Sequence, residues 1–265
     1  QVFRFAAPNL VAGNAGLLKH AENVTGCALA IEAAFMEAGV PEGVFGTLVT
    51  PVSDVPRLIG DARIAAVTLT GSPRAGSAVA AEAGRHLKKT VLELGGSDPY
   101  IVLDDADLDL AVQTCVKSRL LNGGQSCIAA KRFVVAASLR EAFEAGLLER
   151  FRALKMGDPL NREVELGPMA REDLRDALAR QVQASIAAGA EPLLGGEVPH
   201  REGWFYPPTV LRGVRPGMPA YDEELFGPVA AVIEAESEAH ALEIANDSAY
   251  GLGGAVFTRD RARAL

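Results

Sequence analysis

Short apolar runs alternate with longer stretches whose apolar positions recur at helical spacing, a pattern that predicts a mainly parallel β-sheet covered by helices. Leu17-Leu18 reads as a first strand ending at Lys19, and a helix over 25–38 is stopped by Gly39 and Pro41. Residues 45–49 and 65–69 read as the second and third strands. Thr70-Gly71-Ser72-Pro73 turns the third into a helix with Pro73 in its first turn. A fourth strand over 91–94 ends on Gly95-Gly96. A second cycle begins at Pro99, with a strand over 100–103, a helix over 107–121, a strand over 133–135 and amphipathic helices over 139–154 and 172–188. Residues 195–217, rich in Pro and Gly, read as loops and short strands. Late strands are expected at 230–233 and 255–257, around a helix at 239–245. The run from Val2 to Ala7 is apolar but for Arg4, and the chain stops inside an apparent helix.

Composition narrows the class. A hydrophobic fraction of 49% with 23% charged residues is that of a globular chain, and no apolar run approaches the roughly 18 residues of a membrane span. A net charge of −8 argues against a nucleic-acid surface. Three cysteines, sparse and odd in number, supply neither a disulfide framework nor a zinc-binding spacing, and suit a reducing cytoplasm. The chain opens at Gln1 without Met, so a fragment of a longer chain is expected, with length for two domains. The boundary is placed near Gly95-Gly96, giving domains 1–95 and 96–265 and a reaction between them.

Candidate chemistry centres on Glu93 and Cys127, each in a glycine-flanked turn: Leu92-Glu93-Leu94-Gly95-Gly96 and Asn122-Gly123-Gly124-Gln125-Ser126-Cys127. A thiol nucleophile with a base to activate water can carry out complete acyl chemistry at an aldehyde carbon; an unreactive buried cysteine is the competing reading. Lys19 and Glu22, at a strand end, either hold the hydroxyls of an adenosine ribose or are merely solvated. Gly71-Ser72, at a strand-to-helix turn, either cradles a pyrophosphate or is a generic turn. Glu224 and Phe226 either grip a ribose and a flat ring or are a surface Glu beside a core Phe. Arg4 either snorkels or faces a polar cavity.

Taken in order, these segments resemble the aldehyde dehydrogenase superfamily over almost the whole chain. The carriers are Ala12-Gly13-Asn14 with Lys19 and Glu22, Thr70-Gly71-Ser72 with Gly76, Leu92-Glu93-Leu94-Gly95-Gly96, Gly124-Gln125-Ser126-Cys127, Glu224-Leu225-Phe226-Gly227-Pro228, Asn246-Asp247 and Tyr250-Gly251-Leu252. Arg63-Ile64-Ala65-Ala66-Val67 and Lys155-Met156-Gly157-Asp158-Pro159 point within it to bacterial succinate-semialdehyde dehydrogenases. The resemblance implies an α/β fold, a partial Rossmann-like cofactor-binding domain followed by a truncated α/β catalytic domain. It implies oxidation of an aldehyde, foremost succinate semialdehyde, with NAD as cofactor and NADP as the alternative. Cys127 would be the nucleophile, its own N–H an oxyanion donor, and Glu93 the base for thioester hydrolysis. Lys19 and Glu22 would bind the adenine ribose. Gly71, Ser72 and Leu94 would contact the cofactor, as would Glu224 and Phe226 on the nicotinamide side, while Arg4 would bind the distal carboxylate of the substrate. A homo-oligomer, dimer or tetramer, is expected of the whole protein.

Three departures accompany the resemblance. The family's oxyanion asparagine falls upstream of Gln1. A second substrate arginine of some relatives is replaced by Leu121, with Arg119 as a nearby substitute. The loop at Val49-Thr50-Pro51 lacks its usual glycine. Transfer of the acyl group to coenzyme A is the second enzymatic reading, disfavoured by Glu93, and a folded module without turnover is the reading from another class.

Overall fold

A computed structural model describes residues 1–265. The chain divides into two compact units, Gln1–Leu94 and Gly95–Leu265.

In the first unit, α1 (Val2–Val11) precedes β1 (Gly16–Leu18), α2 (Thr25–Glu37), β2 (Phe45–Thr47), α3 (Val55–Gly60), β3 (Ala66–Thr70), α4 (Pro73–Arg85) and β4 (Lys89–Glu93). The strands form two parallel pairs, β1 with β2 and β3 with β4. α1 and α2 cover the first pair through Ala6, Leu18, Ala28 and Phe45, with the Phe35 and Phe45 rings 4.5 Å apart. The apolar run at the N-terminus is therefore a helix, even though Pro8 lies inside it.

The second unit holds β5 (Pro99–Val102), α5 (Leu108–Arg119), β6 (Arg132–Ala136), α6 (Arg140–Ala153), α7 (Glu172–Ala187), β7 (Glu191–Leu194), β8 (Thr209–Arg212), α8 (Pro219–Asp222), β9 (Val229–Ala235), α9 (Glu238–Asn246), β10 (Ala255–Phe257) and α10 (Arg261–Ala264). Its six-stranded sheet runs β10-β5-β6-β9-β8-β7 and is parallel except for β7. Alternate strand residues enter opposite cores, as a period of two requires. Ile101, Val134, Leu211 and Ala231 face the helices α7, α8 and α9, whereas Val102, Phe133, Val210 and Val232 face α5 and α6. Each fully buried Phe or Leu contributes about 1.5–3 kcal/mol, and Phe133, Phe143, Leu147 and Phe151 all lie in the second core. Strand β7 was not anticipated from sequence; Pro192 within it is tolerated because it pairs on one side only, with β8. No helix is long and apolar enough to cross a membrane.

Candidate active site

Within the first unit, a pocket of about 260 Å³ opens at the ends of β1 and β2, lined by His20, Glu22, Thr25, Ala28 and residues 47–51. Glu22 stands exposed in a short turn, and its Oε1 accepts a 3.3 Å bond from the Val52 N–H. The Lys19 ammonium donates to the His20 carbonyl at 3.0 Å. The lining mixes apolar Ala28, Leu48, Val49 and Pro51, against which a flat base can pack, with Thr25, Thr47 and Thr50, and the Glu22 carboxylate at its lip can accept from the hydroxyls of a sugar.

At the end of β3, the Gly71 N–H donates to the Glu93 carbonyl at 2.9 Å, so this turn is tied to the end of β4. Ser72 caps α4, its Oγ accepting from the Ala75 N–H at 3.3 Å, and Pro73 occupies the first turn, where its missing N–H costs nothing. A Cβ at the buried Gly76 would lie 2.6 Å from the Leu94 side chain, so α4 packs directly onto Leu94. The free N–H groups and dipole of the α4 N-terminus suit a phosphate. The Glu93 carboxylate is half-buried and lies 3.9 Å from the Arg4 guanidinium, which α1 projects into solvent.

Within the second unit, the chain leaves α5 through three consecutive left-handed residues, Asn122 (φ 54°), Gly123 (φ 65°) and Gly124 (φ 77°). Asn122 tolerates this conformation because its short amide bonds locally, here donating to the Gln125 carbonyl at 3.1 Å. The Gln125 side chain reciprocates to the Asn122 carbonyl at 3.2 Å and accepts from the Ala170 N–H at 2.9 Å. Cys127 follows, half-buried, whereas Cys115 is sealed in the α5 core, its thiol pushed up by burial, and Cys27 is exposed on α2.

A second loop, residues 224–228, abuts this turn. A Cβ at Gly124 would run into the Gly227 carbonyl, and one at Gly227 would run into Leu178, so the two backbones meet with no side chain between them. The Glu224 carboxylate lies in this loop, accepts from the Gly96 N–H at 3.1 Å, and pairs with the Lys131 ammonium at 3.4 Å. Phe226 is half-buried beside it. The structure thus gathers Cys127, Glu224 and Phe226 in one unit and Lys19, Glu22, Gly71, Ser72, Leu94, Glu93 and Arg4 in the other.

Two findings correct or extend the sequence reading. Arg119 cannot stand in for a substrate arginine: it is fully buried on α5 and donates to the Gly124 carbonyl at 2.7 Å. Burial pushes its guanidinium down to about 9, partly opposed by Glu224. The buried cations Lys131 and Arg132 were not singled out at all; the available signal was a pair of charges placed directly between the cysteine turn and an apolar strand. Arg132 donates to the Ser97, Ile244 and Ala245 carbonyls at 3.1, 2.8 and 3.0 Å, closing the C-terminal end of α9.

The chain is 54% identical over 264 residues to the NAD(P)+ succinate semialdehyde dehydrogenase Sad of Escherichia coli K12, covering 100% of this chain and 57% of that protein. It is 51% identical over 262 residues to the NADP+ succinate-semialdehyde dehydrogenase of Mycolicibacterium paratuberculosis, covering 99% and 56%. Among solved structures, succinic semialdehyde dehydrogenase from Streptococcus pyogenes in complex with NADP+ superposes with a TM-score of 0.96 at 40% identity, covering 99% of this chain and 58% of that one. Lactaldehyde dehydrogenase from Escherichia coli does so with a TM-score of 0.96 at 36% identity, covering 99% and 56%. The chain therefore spans just over half the length of these relatives. The aldehyde dehydrogenase family model matches residues 1–265, and the chain belongs to that family.

Proposed function

We propose that the protein oxidises a short semialdehyde, foremost succinate semialdehyde, to its carboxylate with NAD(P)+ as acceptor, and that Cys127 is the nucleophile. The observation that carries this reading is the setting of Cys127: a half-buried thiol that follows three consecutive left-handed residues, with its carbonyl held by the buried Lys131 ammonium at 2.9 Å. The names of the similar proteins, succinate semialdehyde dehydrogenases at 54% and 51% identity, support the substrate class.

The chemistry divides among the residues as follows. The Cys127 thiolate adds to the aldehyde carbon, and the developing oxyanion is met by the Cys127 N–H. Glu22 and Ser72 of the first unit and Glu224 of the second are the residues that would hold NAD(P)+, which would supply the hydride acceptor when bound. Loss of hydride leaves a thioester on Cys127. Glu93 takes a proton from water as the water oxygen attacks the thioester carbon, and the carbon–sulfur bond breaks to release the carboxylate and the thiolate. Arg4 forks onto the distal carboxylate of the substrate in two parallel bonds. Its ion pair with Glu93, loose at 3.9 Å and with Arg4 largely exposed, leaves the guanidinium free to exchange partners.

The test is Cys127→Ala in the intact protein, followed by NADH or NADPH formation from succinate semialdehyde. Turnover should vanish while dinucleotide binding persists; steady turnover by Cys127→Ala would refute the assignment. Glu93→Gln should instead retain a burst of reduced cofactor and lose the steady rate, because acylation precedes the step that needs the base.

A further inference from the structure

Lys131 directly precedes β6 and is 1% exposed. Its three ammonium protons meet four acceptors: the carbonyls of Ser126, Cys127 and Ala129 at 3.0, 2.9 and 3.2 Å, and the Glu224 carboxylate at 3.4 Å. Burial pushes the ammonium down to about 8, Arg119 acts in the same direction, and Glu224 and Asp98 oppose them. A buried cation is costly unless its partners are well placed, and an apolar side chain could have filled the same space. The arrangement therefore calls for a reason beyond packing.

The geometry of the peptide group supplies one. The Ser126 carbonyl and the Cys127 N–H belong to the same trans peptide and point in opposite directions. The ammonium, with the Ala129 N–H that donates to the same oxygen at 3.2 Å, holds the Ser126 carbonyl, and fixing that carbonyl fixes the opposite direction of the Cys127 N–H. The three converging carbonyls would repel one another without a cation between them. The same ammonium reaches Glu224, whose Oε1 also accepts from Gly96, and a Cβ at Gly96 would lie 2.8 Å from the Cys127 carbonyl. One cation thus joins the cysteine turn, the Gly96 backbone and the Glu224 carboxylate.

We propose that Lys131 is a positioning residue for aldehyde oxidation, which aims the Cys127 N–H at the substrate oxygen by holding the Ser126 and Cys127 carbonyls and couples that turn to Glu224. This inference rests on the reading of Cys127 as nucleophile.

The experiment compares Lys131→Met, which keeps the bulk and loses the charge, with Lys131→Gln, which keeps a neutral donor. Turnover in the intact protein is expressed per reactive Cys127, counted by iodoacetamide alkylation and peptide mass spectrometry with the exposed Cys27 as internal reference. Lys131→Met should lower kcat per reactive site about 100-fold, the scale of a lost or misaimed oxyanion donor. Lys131→Gln should fall between it and the wild type, with the aldehyde KM little changed in both. A merely structural lysine would lower the number of reactive sites and leave kcat per site intact, which would overturn the proposal. Failure of both variants to fold would also overturn it, by assigning Lys131 to stability alone. Normal kcat in Lys131→Met with an inactive Cys127→Ala would remove only this inference, whereas an active Cys127→Ala would remove the reading beneath it.

Discussion

Replacing Gly124 by Ala separates two costs that usually occur together. Gly124 (φ 77°) and Gly213 (φ 67°) are both left-handed and both lie in the second unit. A Cβ on Gly213 meets nothing within 4 Å, whereas one on Gly124 lands on the Gly227 carbonyl, with the Pro228 nitrogen 2.9 Å away. An L-residue in this conformation costs about 1–2 kcal/mol, which is all that Gly213→Ala should lose. At Gly124 the obstacle is backbone, which cannot rotate aside as a side chain would, and forcing it apart adds about 1–3 kcal/mol. Gly124→Ala should therefore lose about 2–5 kcal/mol in total. At about 3 °C per kcal/mol, Tm should fall by about 3–6 °C for Gly213→Ala and by about 6–15 °C for Gly124→Ala. Parting the two loops also carries residues 125–127 with them, and a displacement of about 1 Å at a reacting group costs about 100-fold in rate. Thermal melts and kcat per alkylatable Cys127 measure both effects. Equal Tm losses in the two variants would refute the argument, as would a Gly124→Ala enzyme with the kcat of Gly213→Ala.

The remaining predictions concern three charged residues, Glu22, Arg4 and the buried Arg119. Glu22 is exposed at the lip of its pocket and would repel a ribose 2′-phosphate, so the protein should prefer NAD, and Glu22→Gln should shift the kcat/KM ratio toward NADP by about fivefold, the scale of an exposed charge pair worth about 1 kcal/mol; equal kcat/KM values for the two cofactors in the unmodified protein would refute this. Arg4→Ala should raise KM for succinate semialdehyde about 10- to 100-fold, the value of a charge-assisted hydrogen bond of about 1.5–3 kcal/mol, while sparing butanal; a uniform loss across both aldehydes would instead assign Arg4 to its contact with Glu93. Arg119→Met should act on kcat and not on the succinate semialdehyde KM, because the guanidinium touches the Gly124 carbonyl and not solvent; a selective rise in that KM would restore Arg119 to the substrate pocket.

What could be read from the sequence was whatever leaves a periodic or conformational trace. The strands from β3 to β6 and the helices α2, α5, α6 and α7 emerge within a few residues of their observed bounds, as does the start of α4, because apolar alternation, Pro73 in a first turn and Gly39 after a helix are local signals. The turn before Cys127 was also visible, since a Gly-Gly pair marks backbone that must adopt positive φ. By contrast, α1 went unassigned: Val2-Phe3-Arg4-Phe5 followed by Pro8 carries aromatic and β-branched residues with a helix breaker, and only packing against β1 and β2 settles it as a helix.

The roles of the buried cations leave no such trace, and the reason is geometric. Along the sequence Lys131 is a charge four residues past Cys127, indistinguishable from a solvated one. Its environment is made by carbonyls that converge only because Asn122, Gly123 and Gly124 reverse the chain, and by a carboxylate that arrives from residues 224–228. Arg119 is similar, since its carbonyl partner at Gly124 exists only once α5 has ended in that same reversal. The glycines and the cations are therefore two halves of one device. The glycines let the backbone fold back so tightly that its carbonyls crowd, and the ammonium and guanidinium neutralise the crowding. A charge-removing change at Lys131 and a steric change at Gly124 should accordingly fail to add: once the Gly227 contact has been forced apart, the carbonyls no longer converge, and removing the ammonium should cost less than it does alone. A double variant whose loss in kcat equals the sum of the two single losses in free energy would show that the contacts act independently.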